Sequence, residues 1–410
     1  MKKTLKALLV SSTLLYFPLV ANQPTPTLEN YISSIKKEQF NYDYKKNEAQ
    51  SSILKDSWIN PLSLSYTYIK TDPTDDVQTN QSAQIRMNQT IFQTGGIYYA
   101  IKYADALKKY SNYSIDMAKR KMVIDVISLL MKIEQSTLSI ERQKLQIQNS
   151  EINLEQKKEQ YLNGQLDSGF LDTAIIEKNM KTQLLYDIET AKERLVSSFS
   201  TLSDLSYKDA KVPYFEILTE DEFLQNNILL KMSKAKIVTD SYKTDIVTAK
   251  YLPKVSLIAG YSWTKSENSA TKIRTVERDY YDYGLQLSMP LSINTLRDME
   301  VTKIESLKSK VDAKDKIIQL RSSYEKVMQN VSNFEKKQSL SLENIELYSK
   351  LLQDTKKLFK AGYKTQYDVD TLKNSTKISE LDSKIYEIDK QLELLTLYEL
   401  YDNKEMIDEI

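Results

Sequence analysis

"YYDYGLQLSMPLS", residues 280–292, decides how the rest of the chain is read. Tyr281, Tyr283, Leu285, Leu287 and Met289 come at every second position, with Asp282, Gly284, Gln286 and Ser288 between them. A period of two belongs to a β-strand with one apolar and one polar face. Three further stretches alternate in the same way. Leu62, Leu64, Tyr66 and Tyr68 oppose Ser63, Ser65 and Thr67; Ile85, Met87 and Ile91 oppose Arg86, Asn88 and Thr90. Val255, Leu257, Ala259, Tyr261 and Trp263 oppose Ser256, Gly260 and Ser262, with Ile258 as an exception.

The remainder reads as long, charged helices, so no second sheet is available to cover the apolar face. Four strands cannot close a barrel by themselves, and an open edge is not tolerated in lipid. Several copies contributing four strands each could close one around a polar lumen. Tyr66, Tyr68, Tyr261, Trp263, Tyr281, Tyr283, Leu285 and Leu287 would then face the bilayer. A soluble sheet with its polar side in water is the plainer alternative. The polar stretches "TDPTDD" at 71–76 and Lys265 to Asp279 suit exterior loops.

Composition narrows the function classes. The N-terminus places Lys2, Lys3 and Lys6 before an apolar run from Ala7 to Val20, the layout of a secretory signal peptide over residues 1–21. Removing those three lysines takes the basic count from 57 to 54 against 56 acids, a net charge near −2, which implies no polyanion partner. Cysteine is absent, which excludes disulfides, thiol catalysis and a lipid-modified N-terminal cysteine. Histidine is absent too, so any enzyme would rest on carboxylates, Lys or Tyr. There is no Gly-rich phosphate loop, nucleophile elbow or metal-ligand spacing. No enzyme activity, cofactor, metal site or nucleic-acid partner is expected.

The chain has only seven Gly and eight Pro, so their positions map its architecture. Pro61 and Pro253 each open an alternating run; Gly95 with Gly96, and Pro290, close the matching second runs. Gly164 and Gly169 sit in "YLNGQLDSGFLD", and Gly362 in "LFKAGYKTQYDVD". The pattern is an internal repeat with a period of about 195 residues. The first repeat, 22–212, reads as a helix at 27–58, a strand pair over 61–93, a long helix at 97–162, a tight tip and a return helix at 170–205. The second, 213–410, reads as a helix at 222–250, a strand pair over 254–291, a long helix at 295–359, a tip and a return helix at 366–402.

A helix of about 65 residues is about 100 Å long. The shorter helices of a repeat together match that length, which predicts an elongated cylinder. Ile317, Tyr324, Val331, Gln338, Ile345, Leu352 and Phe359 are seven apart, with Leu320, Val327, Phe334 and Tyr348 on the companion positions. Ile124, Met131, Leu138, Leu145 and Ile152 keep the same interval, which is coiled-coil packing. The expected class is a mixed α and β membrane protein.

The duplicated helix-to-strand entry, the duplicated tips and the two halves near 195 residues resemble the TolC family of outer-membrane efflux proteins of Gram-negative bacteria. The resemblance implies a homotrimer with a 12-stranded transmembrane barrel in outer-membrane lipid and an α-helical barrel reaching into the periplasm. It also implies docking on a periplasmic adaptor (a membrane fusion protein) and an inner-membrane transporter of RND, ABC or MFS class. In "AGYKTQYDVD" the family's inner-tip pattern falls on Lys364 and Asp368 as gate and constriction residues, with Asp370 adjacent. Tyr363 and Tyr367 would pack the tip, and Gly164, Gly169 and Gly362 mark the tips and the adaptor contact. In the first tip Phe170 stands at the position matching Asp368 and Asp172 follows, so no gate residue is assigned there. The implied function is a passive exit duct for efflux or type I secretion, its cargo unspecified. Two rivals are a periplasmic coiled-coil adaptor or structural protein without a channel, and a hydrolase using paired carboxylates.

Overall fold

The computed structural model of the chain describes residues 28–72, 77–268 and 274–402. The expected signal peptide lies outside the described residues, as do 73–76 and 269–273 at the two strand-to-strand loops. Helix α1 (Ser34–Lys55) leads to β1 (Ser63–Thr71), β2 (Gln78–Gln93), α2 (Gly96–Leu162) and α3 (Ser168–Leu202). After a connecting segment come α4 (Glu220–Gln225), α5 (Ile228–Lys250), β3 (Lys254–Asn268), β4 (Arg274–Ser288), α6 (Thr295–Lys360) and α7 (Gln366–Leu400).

The helix read at 222–250 is two pieces. Asn227 interrupts it, its side-chain oxygen accepting from the N–H groups of Leu229 and Leu230 as the N-cap of α5. That is the usual reason an asparagine breaks rather than continues a helix. Ser33 and Thr219 cap α1 and α4 in the same manner.

The helices form one wall. α2 packs on α1, α3, α5 and α7, while α6 packs on α5 and α7. Across the wall the order is therefore α1 or α3, then α2, then α5 or α7, then α6. α2 and α6 have 67 and 66 residues, and two shorter helices share each remaining slot. The core lies at mid-length, where Ile127, Leu130 and Met131 of α2 meet Leu320 and Val331 of α6 and Leu394, Leu395 and Leu397 of α7.

The segment between α3 and α5 crosses the wall there and inserts Phe215, Leu218 and Phe223. Its backbone is held by helix side chains. The Phe215 N–H donates to Gln391 Oε1 at 2.7 Å, and its carbonyl accepts from Gln391 Nε2 at 3.3 Å. Tyr398 and Tyr324 donate to the carbonyls of Glu216 and Leu218 at 3.0 and 2.8 Å. Burial pushes the Tyr398 phenol up to about 12. Nearby, Asp402 is clasped by Arg120 and by Lys231, the latter at 2.8 Å.

At one end of the wall the strands form a single antiparallel sheet in the order β1–β2–β3–β4. At the other end both long helices turn back in tight tips. Among the described residues no helix is long and apolar enough to cross a membrane.

Candidate functional site

Strand register decides which side chains share a face of the sheet. Tyr66 pairs with Ala83, Ala83 with Trp263, and Trp263 with Asp279. Leu64 pairs with Ile85, Ile85 with Tyr261, and Tyr261 with Tyr281. Ala259 lies beside Tyr283, Leu257 beside Leu285, and Val255 beside Leu287. The apolar sets of all four strands thus stand on one face. Tyr66, Tyr68, Tyr261, Tyr281, Tyr283, Leu285 and Leu287 are all exposed, with Tyr283 at 80 %. Trp263 is half-buried on the same face.

From Val255 to Trp263 the apolar band covers nine residues, whose eight steps make about 20 Å of height for a strand tilted as in membrane barrels. Beyond Trp263 this face turns polar. The Trp263 indole N–H donates to Glu277 at 2.6 Å, and Lys265 pairs with Glu267 at 2.6 Å. Trp263 thus sits with its polar handle where the apolar band ends. On the opposite face Ser256 and Ser262 are buried, so side chains close over β3 there as they do inside a curved sheet.

The two tips share one turn. Gly164 has φ 68° and Gly362 φ 81°, a backbone that favours glycine. In each, the glycine N–H reaches back three residues, to Tyr161 or Phe359, at 2.9 Å. The following N–H reaches back five, to Gln160 or Leu358, also at 2.9 Å. Gly169 is the second residue of α3.

Beyond the glycine the tips diverge. Thr365 and Asp368 form a capping box on α7: Asp368 Oδ2 accepts from the Thr365 N–H at 2.9 Å, and the Asp368 N–H donates to Thr365 Oγ1 at 3.2 Å. The Thr365 backbone N–H holds the Asp368 carboxyl below its ordinary value of 3.8. Lys364 stands 3.8 Å from the same carboxylate, and Asp370 accepts from Gln366 at 2.9 Å. Tyr367 donates to Glu159 of α2 at 3.2 Å, with burial first and that bond second pushing its phenol up. Tyr363 is 80 % exposed. In the first tip Asp167 makes no side-chain cap, and Phe170 is exposed beneath Lys157.

Two further apolar stripes lie outside the heptad seams. Ile176, Met180 and Leu184 on α3 are exposed and four apart. Leu340, Leu347, Leu351 and Leu358 are exposed on α6, on the opposite border of the wall. Their helical spacing was a readable signal. It is hidden by the assumption that every apolar position belongs to the chain's own seam.

No carboxylate pair is free for acid–base work at the mid-length cavity of about 470 Å³. Glu29 is paired with Lys119 at 2.5 Å, Asp116 accepts from Tyr44, and Asp402 is held by Arg120 and Lys231. Among the described residues no group of three or more acidic side chains could hold a metal ion.

Residues 220–395 match the family described as outer membrane efflux protein. No curated protein matches the sequence. Among solved structures, the chain is similar to the outer membrane protein VceC of Vibrio cholerae, with a TM-score of 0.67 at 12% identity over 92% of this chain and 96% of that one. It is also similar to the CmeC outer membrane channel of Campylobacter jejuni, with a TM-score of 0.66 at 11% identity, covering 92% and 86% of the two chains. For the open state of the MtrE outer membrane channel of Neisseria gonorrhoeae the TM-score is 0.62 at 11% identity, covering 92% and 89%. At such identities the likeness is one of fold.

Proposed function

We propose that this chain, whose residues 220–395 match the outer membrane efflux protein family, is a passive exit duct in the outer membrane of a Gram-negative bacterium. Its helical wall reaches into the periplasm, where a periplasmic adaptor and an energised inner-membrane transporter complete a tripartite export system. Three copies close the 12-stranded barrel and the helical tunnel, and the two halves of each chain are repeats of one unit.

One observation carries this reading: the sheet exposes a continuous apolar face while both of its edges, β1 and β4, are unpaired among the described residues. Unpaired backbone groups cost several kcal/mol each in hydrocarbon, so such a sheet enters lipid only after joining further copies edge to edge. The stripes on α3 and α6 support the same closure. Both lie near the tips, on opposite borders of the wall, where neighbouring copies would bring them together.

At the tip, Lys364, Asp368 and Asp370 are proposed to face the axis as the closed gate, with Tyr363 and Tyr367 packing around it. Gly164, Gly169 and Gly362 shape the surface offered to the adaptor. The chain itself carries no nucleotide-binding signature, so opening draws on the partners' energy.

The test is reconstitution of the purified protein in planar bilayers, together with its mass in detergent. A trimer that conducts ions is expected. A monomer that stays out of lipid and conducts nothing would sink the proposal and favour a periplasmic structural protein.

A further inference from the structure

The polar face of the sheet carries a lopsided set of charges. Among the described side chains on that face, Arg86, Lys254 and Arg278 are positive and Asp282 alone is negative. Register puts Ser63, Arg86, Gly260 and Asp282 in one row across the four strands. A second row holds Thr67, Ser82, Thr264 and Arg278. Lys254 lies at the helix end of β3, beside Ser288.

Gly260 does something specific here. A methyl group built on it would stand 2.7 Å from Asp282 Oδ1 and 3.2 Å from Oδ2. The Asp282 carboxylate therefore lies over the neighbouring strand, in the space a side chain at 260 would fill, and leans toward the row position of Arg86. No ion pair within 4.0 Å engages Arg86, Lys254, Arg278 or Asp282 among the described residues. Unpaired cations in the membrane layer cost about 2–4 kcal/mol each on the lipid face, so water must meet them.

Resting on the duct proposed above, we infer that the barrel bore is an anion-preferring filter, set by Arg86, Arg278 and Lys254, with Asp282 drawn over Gly260 as partial counter-charge. Among the described side chains each copy supplies three cations against one carboxylate. Low-dielectric walls around a water column focus that excess and raise the local concentration of anions. The cargo class that passes this level most readily is small or extended solutes bearing carboxylate, phosphate or similar groups. The sign is opposite to that of the proposed gate, where Asp368 and Asp370 outnumber Lys364, so the two ends of the duct read charge differently.

Reversal potentials in a potassium chloride gradient across planar bilayers test this with the full chain. Arg86→Gln and Arg278→Gln are each expected to shift the K⁺/Cl⁻ permeability ratio toward K⁺ by on the order of twofold. Asp282→Asn should shift it toward Cl⁻. Gly260→Ala, which evicts the carboxylate into the bore, should shift it toward K⁺. Because the four changes act separately, loss of the channel in any one leaves the rest to decide. Unchanged ratios in every conducting variant would overturn the filter and leave the duct intact. A parent protein that conducts nothing would overturn the duct and the filter with it.

Discussion

Two helices of equal length return from the two tips, and only one of them is buried. α3 and α7 both have 35 residues. α7 lies between α2 and α6 and buries Val369, Leu381, Ile385, Leu394, Leu395, Leu397 and Tyr398. α3 packs on α2 and buries only Ala174 and Phe199. α7 is also stitched to α2 by polar bonds running toward the tip. These are Gln135 to Asp389 at 2.5 Å, Arg142 to Asp382 at 2.8 Å, Asn374 to Asn149 at 2.9 Å and Tyr367 to Glu159 at 3.2 Å. Burial raises the Asp389 carboxyl, against the pull of the Gln135 bond. One return helix is held by the chain's own packing, while the other leaves most of its length uncovered.

That contrast can be broken from either side. The largest effect is expected for Leu381→Ala or Leu394→Ala, which hollow out a packed position and cost about 2–5 kcal/mol. Thermal melting followed by circular dichroism should show it before and after assembly alike. Ile176→Asp with Met180→Asp should leave the chain's helix content unchanged yet abolish the trimer, read by mass in detergent. If assembly survives those two charges, the α3 stripe is not an interface.

The tips sharpen the same contrast at smaller cost. Asp368→Ala removes a capping box and should cost about 1 kcal/mol of protection in the first turn of α7. Phe170→Ala, at the matching place in α3, removes no cap and should leave its turn unchanged, as read by amide hydrogen exchange. Because Asp368 is held below its ordinary value, its contribution is present above that value and lost as pH falls through the depressed one. Protection of the α7 turn should therefore fall between about pH 4 and more acid conditions, without a matching loss at α3. Lys364→Ala should cost the least, a few tenths of a kcal/mol, since its pair is exposed and long. If Lys364 and Asp368 also form the gate, both substitutions raise single-channel conductance. Asp368→Asn separates cap from gate, because the amide oxygen still accepts from Thr365 while the charge is gone.

Much of this was legible because two periods differ so plainly. The alternation at Tyr281 to Met289 is a strand up to Ser288, where Pro290 prevents further pairing. Gly164 and Gly362 stood out as tips because glycine is rare in this chain and the turn requires positive φ. Other features were not legible. Asn227 reads as one polar residue in a helical pattern, and only the bridge to Tyr401 and its cap bonds show that it divides α4 from α5. Phe215 and Leu218 sit in a segment with no period, so nothing marked them as core. Asp368 reads as a pore residue by resemblance, whereas its capping role depends on Thr365 three places earlier. The row joining Arg86 to Asp282 needed strand register, which alternation within single strands does not supply.

The clasp at mid-length has a mechanical consequence. From Val331 to Gly362 the α6 rod runs about 45 Å beyond its fixed point, at 1.5 Å per residue. A pivot of about 6° there would sweep the end of the rod through about 5 Å, so a partner pushing near the tips gains leverage without disturbing the sheet at the far end.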